Sequence, residues 1–292
     1  MSLLFPVPRL TRRGLLATGL WSGVAAGQEA PPEFSVVVQN GLLTAVFADG
    51  TTDVGLTSAL PMLSAKSVQA VSLRGAPVRD IRALTGLATL RSLDICGSLV
   101  RDATSLAGLT SLQQLNLQFL PIGDLRPLVG MTGLRVLNLS GTDIRDIAPL
   151  SGLRALQELV IAVTKVRDLT PLAGLTAMAV LDIAGTGVRD ISPLVRMAAL
   201  RNLSLNGTKV SDLGPLAKLM QLEELDLGGT PVSDLSALAR LGNLRSLDLE
   251  STQVIDVTPL AGLESLRSLS LGGSRVTDVS VLSRLTKLVI HR

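Results

Sequence analysis

The chain has no tyrosine, and only one cysteine, one histidine and one tryptophan among 292 residues. Each shortage excludes a class of function. A lone Cys96 forms no intramolecular disulfide and no cysteine-cluster zinc site. A lone His291 removes His-dependent triads, His-rich metal sites and most general-base chemistry. After residue 26 the only aromatic side chains are Phe34, Phe47 and Phe119, so sugar-stacking platforms and base-stacking sheets are poorly supported. At 47% hydrophobic the chain still buries a large core, and that core must be aliphatic. No run after the leader is long and apolar enough for a transmembrane helix.

The net charge of +3 points to an acidic partner until its location is considered. Residues 1–26 hold Arg9, Arg12 and Arg13 and no acid, and without them 24 basic side chains face 24 acidic ones. That segment reads as an export signal: a basic start, then an apolar stretch from Gly14 to Ala26 that is too short to span a bilayer. Val24 and Ala26 place the expected cut after Ala26 or Gly27. Thr11-Arg12-Arg13-Gly14-Leu15-Leu16 resembles the twin-arginine export motif, with Leu15 where that motif usually has Phe. An ordinary secretory leader and an organelle transit peptide have similar compositions. The expected location is the periplasm or the outside of a bacterial cell.

The remaining sequence repeats. An apolar residue recurs every 22 positions at Val68, Leu90, Leu112, Leu134, Leu156, Met178, Leu200, Leu222, Leu244 and Leu266. Ten repeats fill residues 68–287, and Leu288-Val289-Ile290 begins an eleventh. In the repeat starting at Leu200, Leu203 and Leu205 alternate as a strand with one buried face. Val210, Leu213, Leu216 and Leu219 step by three, the spacing of a tight turn or short helix. One such unit has too small a core to stand alone, so neighbours must stack and share buried faces.

This pattern resembles the leucine-rich repeat family. The strict 22-residue spacing and segments such as Val210-Ser-Asp212-Leu213-Gly-Pro215-Leu216 are similar to its bacterial internalin-like subclass. The resemblance implies an α/β solenoid with a parallel β-sheet on the concave face and short helices or 3-10 turns on the convex face. It also implies a binding module, without saying what is bound. The domains expected are an export signal (1–26), a linker and N-terminal cap (27–67) and the solenoid (68–292). In the cap, two β-prone runs flank Asn40-Gly41, a strong hairpin signal, and Leu56, Leu60 and Leu63 mark a short helix.

Three polar columns run through the repeats. An Asp stands in every one, from Asp80 to Asp278, and is read as capping the turn backbone rather than holding calcium, which needs six or more oxygens. Thr142, Thr164, Thr186, Thr208, Thr230 and Thr252, flanked by Ser98 and Ser274, are read as a hydroxyl ladder bonding loop backbone along the stack. Arg79, Arg101, Arg145, Arg167 and Arg189 share a third position. Two readings stand for them: pairing with the neighbouring Asp side chains, or an edge that holds an anionic ligand.

The outward strand residues carry seven acids and one base, Arg74. Glu158, Asp182, Glu224, Asp226, Asp248 and Glu250 supply most of that charge, which steers a basic protein partner unless the face is merely solvated. The third repeat departs most from the pattern, with Phe119 for Gly, Leu120 for Thr, then Pro121, and Gly123 for Arg. Phe119 with Gln114, Asn116, Gln118, Asn138 and neighbouring Cys96 is either an interaction patch or a repacked repeat. The apolar Leu288 and Ile290 suggest self-association through an open edge. The expected function is non-catalytic binding of another protein through the concave face, with no cofactor, no metal and no nucleic acid. The alternative is a module that binds anionic cell-envelope polymer or self-associates.

Overall fold

A computed structural model describes residues 34–292 and the backbone of a two-residue strand, Ala17–Thr18. Apart from that strand, the expected leader, twin-arginine motif, cleavage point and linker lie outside the described residues. The chain forms two compact units, Met1–Asp143 and Ile144–Arg292.

The first unit begins with β1 (Ala17–Thr18), β2 (Phe34–Gln39) and β3 (Leu42–Phe47), paired antiparallel in that order. Asn40 and Gly41 turn the β2–β3 hairpin with φ of 50° and 78°, the left-handed pair that a two-residue hairpin needs. Phe34 and Phe47 stack at the open end of the hairpin, ring centroids 5.0 Å apart. Helix α1 (Asp53–Ala65) follows, capped by Thr52, whose hydroxyl accepts the Gly55 N–H. Its buried face is Leu56, Ala59 and Leu63. The Asp53 carboxylate accepts the N–H groups of Arg79 and Asp80 at 2.7 and 3.0 Å, which ties the helix to the first repeat. From β3 the sheet turns parallel through β4 (Ala70–Ser72), β5 (Ser92–Asp94), β6 (Gln114–Asn116) and β7 (Val136–Asn138).

The second unit is parallel throughout: β8 (Glu158–Val160), β9 (Val180–Asp182), β10 (Asn202–Ser204), β11 (Glu224–Asp226), β12 (Ser246–Asp248), β13 (Ser268–Ser270) and β14 (Val289–His291). Each strand has three residues, and in β8 to β13 the central one is a buried Leu. A short 3-10 turn lies between successive strands, such as Ser192–Arg196 and Gly214–Leu216. The turns bury Leu194, Leu216 and their counterparts against the same core.

The 22-residue register holds from β8 to β13 and slips by one at β14, where Ile290 rather than His291 stands opposite Leu269. The slip gives the inward position to an apolar side chain. Val276 and Val279 are half-buried there, whereas their counterparts Val254 and Val257 are buried. Among the described residues no helix is long and apolar enough to cross a membrane.

Candidate partner-binding surface

Much of the polar periodicity serves the backbone. In all ten repeats the Asp of the first column accepts, through Oδ1, the N–H two residues on. This bond closes the turn that starts each 3-10 segment. Hydrogen bonds from the Arg126 guanidinium and backbone hold the Asp124 carboxyl below its usual range. Thr170 does the same to Asp168, and Ser236 to Asp234.

The threonines behave differently from a ladder. Each hydroxyl donates to the carbonyl three residues earlier in its own repeat, as Thr208 does to Leu205 at 2.6 Å and Thr164 to Ile161 at 2.7 Å. The hydroxyl is buried beneath the strand exit, and the carbonyl it reaches also accepts a backbone N–H of the same residue, as at Thr208.

A second capping column sits on the sheet itself. Asp94, Asn116, Asn138, Asp182, Asp226 and Asp248 each accept the N–H two residues on, at 2.8–3.1 Å. The sequence carried a signal for it, an acid or amide recurring at one outward strand position. By its outward direction alone that position points to a partner. Asn116 and Asn138 are 0% and 4% exposed, so they offer a partner no surface. Asp182, Asp226 and Asp248 are half-buried with Oδ1 already engaged, and Asp226 also accepts the Ser204 hydroxyl through Oδ2. Burial pushes the Asp182, Asp248 and Glu158 carboxyls up. In the first unit Asp94 is matched by Arg74 at 3.1 Å. Glu224 and Glu250, both in the second unit, are the acids of this face that stand exposed. Gln114 accepts from the Ser92 hydroxyl, and Gln118 lies 3.7 Å from the buried Cys96 Sγ.

The strand exits hold residues in the left-handed region. Gly fills this position at Gly97 and Gly141, and at Gly185, Gly207, Gly229 and Gly273. Phe119, Val163 and Ser251 occupy it with φ of 62°, 55° and 55°. Only a residue without Cβ does so without strain, and a β-branched Val is the least suited. In the first unit Leu120 fills the buried Thr position, which leaves Phe119 outside at 63% exposure. In the second unit Val163 is 70% exposed at the equivalent point. Sequence reading found Phe119 as an aromatic anomaly. It missed Val163, whose signal was a β-branched residue in a glycine column.

The arginine column does not pair with the Asp column. Among the described residues, Arg79, Arg101, Arg145, Arg167 and Arg189 are exposed and make no side-chain ion pair, because the adjacent carboxylates are committed to the turns. The arginines that do pair sit elsewhere in the repeat: Arg74 with Asp94, Arg82 with Asp80, Arg126 with Asp124, and Arg201 and Arg245 with Glu223.

Residues 132–174 and 198–240 match the family model for leucine-rich repeats. An internalin, inlF, from Listeria monocytogenes has a similar solved structure, with TM-score 0.69 and 25% identity over 88% of this chain and 89% of its own. Internalin C2 from the same species matches with TM-score 0.55 and 28% identity over 80% and 91%. A leucine-rich-repeat protein of Leptospira interrogans shares the fold at TM-score 0.68 and 17% identity, over 77% and 66%. No curated protein matches the chain in sequence.

Proposed function

We propose that this internalin-like leucine-rich-repeat protein is an exported, non-catalytic binder of another protein, which it meets on its sheet face and strand-exit edge. The observation that carries the reading is Phe119. A large apolar ring held 63% exposed, on a backbone conformation that favours glycine, costs stability and contributes almost nothing to the core. Such strain is retained where a side chain is used. Val163 repeats the arrangement in the second unit. Glu224 and Glu250 give that unit exposed negative charge, which favours a basic partner and speeds its approach.

Residues 27–67 act as a linker and cap, with the β2–β3 hairpin and α1 as the cap of a repeat domain spanning 68–292. The basic, acid-free start of the sequence supports export to the periplasm or beyond.

The test compares full-length wild type, Phe119→Gly and the double variant Glu224→Lys with Glu250→Lys, immobilised and exposed to envelope extract and culture supernatant. A protein retained in stoichiometric amount by the wild type should be lost from one or both variants. Retention indifferent to both changes would place binding elsewhere.

A further inference from the structure

We propose that the lateral edge of the second unit, built by Arg145, Arg167, Arg189 and Lys209, binds a linear polymer of phosphate groups that carries no bases. This site is separate from the sheet face, and its success or failure leaves the protein-binding reading untouched.

The three arginines occupy one position in three successive repeats, and all are exposed without an ion pair among the described residues. The loops that carry them are joined by backbone hydrogen bonds, Lys165 N–H to Ile144 and Gly187 N–H to Val166. The backbone positions that carry them therefore stand one repeat apart, on the order of the 4.8 Å strand spacing. Like charges at that separation repel, and stability alone does not assemble them.

Among the described residues the neighbouring acids temper this repulsion with their charge but form no ion pair with the three arginines. Asp146, Asp168 and Asp190 each direct Oδ1 to the N–H two residues on, and Asp190 also accepts the Ser192 hydroxyl through Oδ2. The same column holds Ser211, Ser233, Ile255 and Thr277 further along, so the fold itself does not require Arg there.

Gly187 shows that the row is built along the edge. A Cβ there would meet Arg167 Cγ at 2.9 Å and Nε at 3.2 Å, so the Arg167 stem lies across the next repeat toward Arg189. Lys209, exposed in the adjacent column that holds Gly187 one repeat earlier, donates its N–H to the Val188 carbonyl next to Arg189.

Guanidinium forks bind phosphate oxygens bidentately, and a row of them at a regular interval suits an anion that also repeats. Nucleic acid is the poorer fit, because this edge has no aromatic side chain on which a base could stack.

The experiment titrates the full chain with inorganic polyphosphate, with poly(glycerol phosphate) and with oligothymidine, by calorimetry at several salt concentrations. The wild type should bind one or both phosphate polymers, the two arms telling which source of phosphate is preferred, and should prefer them to oligothymidine. The triple variant Arg145→Ser, Arg167→Ser, Arg189→Ser should weaken binding about tenfold or more and flatten the salt dependence by about two units of slope. The control Arg201→Ser with Arg245→Ser, which removes the paired arginines, should bind like wild type. Neither polymer binding, equal loss in the control, or oligothymidine binding as tightly would each overturn the proposal.

Discussion

The Phe119 ring lies across Gly141 so closely that a Cβ on Gly141 would stand 2.5 Å from Cδ1 and 2.9 Å from Cε1. Gly141 also holds φ of 67°, so a side chain there meets two obstacles, its own backbone and the ring. Gly141→Ala should cost about 1–3 kcal/mol in chemical denaturation. In Phe119→Gly the second obstacle is gone, and the same alanine should then cost about 1 kcal/mol less than it does in the wild type. A double-mutant cycle with no coupling would show that the ring does not rest on Gly141 in solution.

Val163→Gly should stabilise the protein. The residue keeps φ of 55° and is 70% exposed, so little packing is lost when the side chain goes. Relief of the left-handed strain outweighs the entropy that glycine adds to the unfolded chain, a net gain of about 1 kcal/mol. The urea midpoint reads this directly, and a lower midpoint would mean that Val163 packs against something the isolated chain needs. The same variant in the binding assay separates the two roles, since a used side chain gives higher stability with weaker retention.

The repeat architecture was legible because Leu203 and Leu205, and Val210, Leu213, Leu216 and Leu219, carry opposite periodicities at a fixed 22-residue spacing. What a polar column bonds to was harder to read. The Asp column pointed correctly to turn capping, since Asp two residues before an N–H has one local use. The Thr column pointed to its neighbours, although the hydroxyl reaches its own repeat's carbonyl first. Asn116 and Asp226 alternate outward like true surface residues, and nothing in a period of two says that the strand exit folds its own N–H over them. The slip at β14 was equally invisible, because it depends on a competition between Ile290 and His291 for one inward position.

Because each threonine hydroxyl serves its own repeat, the losses from removing two of them should add. Thr208 is 3% exposed and Thr186 likewise, so valine fills either site without a cavity. Each Thr→Val change removes one of the two hydrogen bonds to that carbonyl, which keeps the backbone N–H of residue 186 or 208, and should cost about 0.5–1 kcal/mol. Thr186→Val with Thr208→Val should then cost the sum to within about 0.5 kcal/mol. A double variant much less damaging than that sum would restore the picture of hydroxyls that bond loop backbone along the stack.

The pH dependence should turn on which carboxylates are buried. Turn-capping acids such as Asp124, Asp168 and Asp234 titrate below their usual range, so the stability they contribute is present above the unfolded value and lost as pH falls through the folded one. Asp94 behaves in the opposite sense. Burial raises its carboxyl, against the Cys96 N–H and the Arg74 charge that lower it, so its ionisation opposes folding and acid relieves that opposition. Arg74 is the counter-charge, 3.1 Å away with 35% side-chain exposure against 13% for Asp94. Arg74→Met should therefore cost about 1–3 kcal/mol at neutral pH, where it strands a largely buried carboxylate. That cost should shrink as the pH falls and Asp94 takes up its proton, even while the wild type itself loses stability through the capping acids. Denaturant midpoints for both proteins, measured between about pH 7 and pH 3, give the difference directly. A gap that stays constant or widens on acidification would show that Arg74 acts by packing and not by its charge.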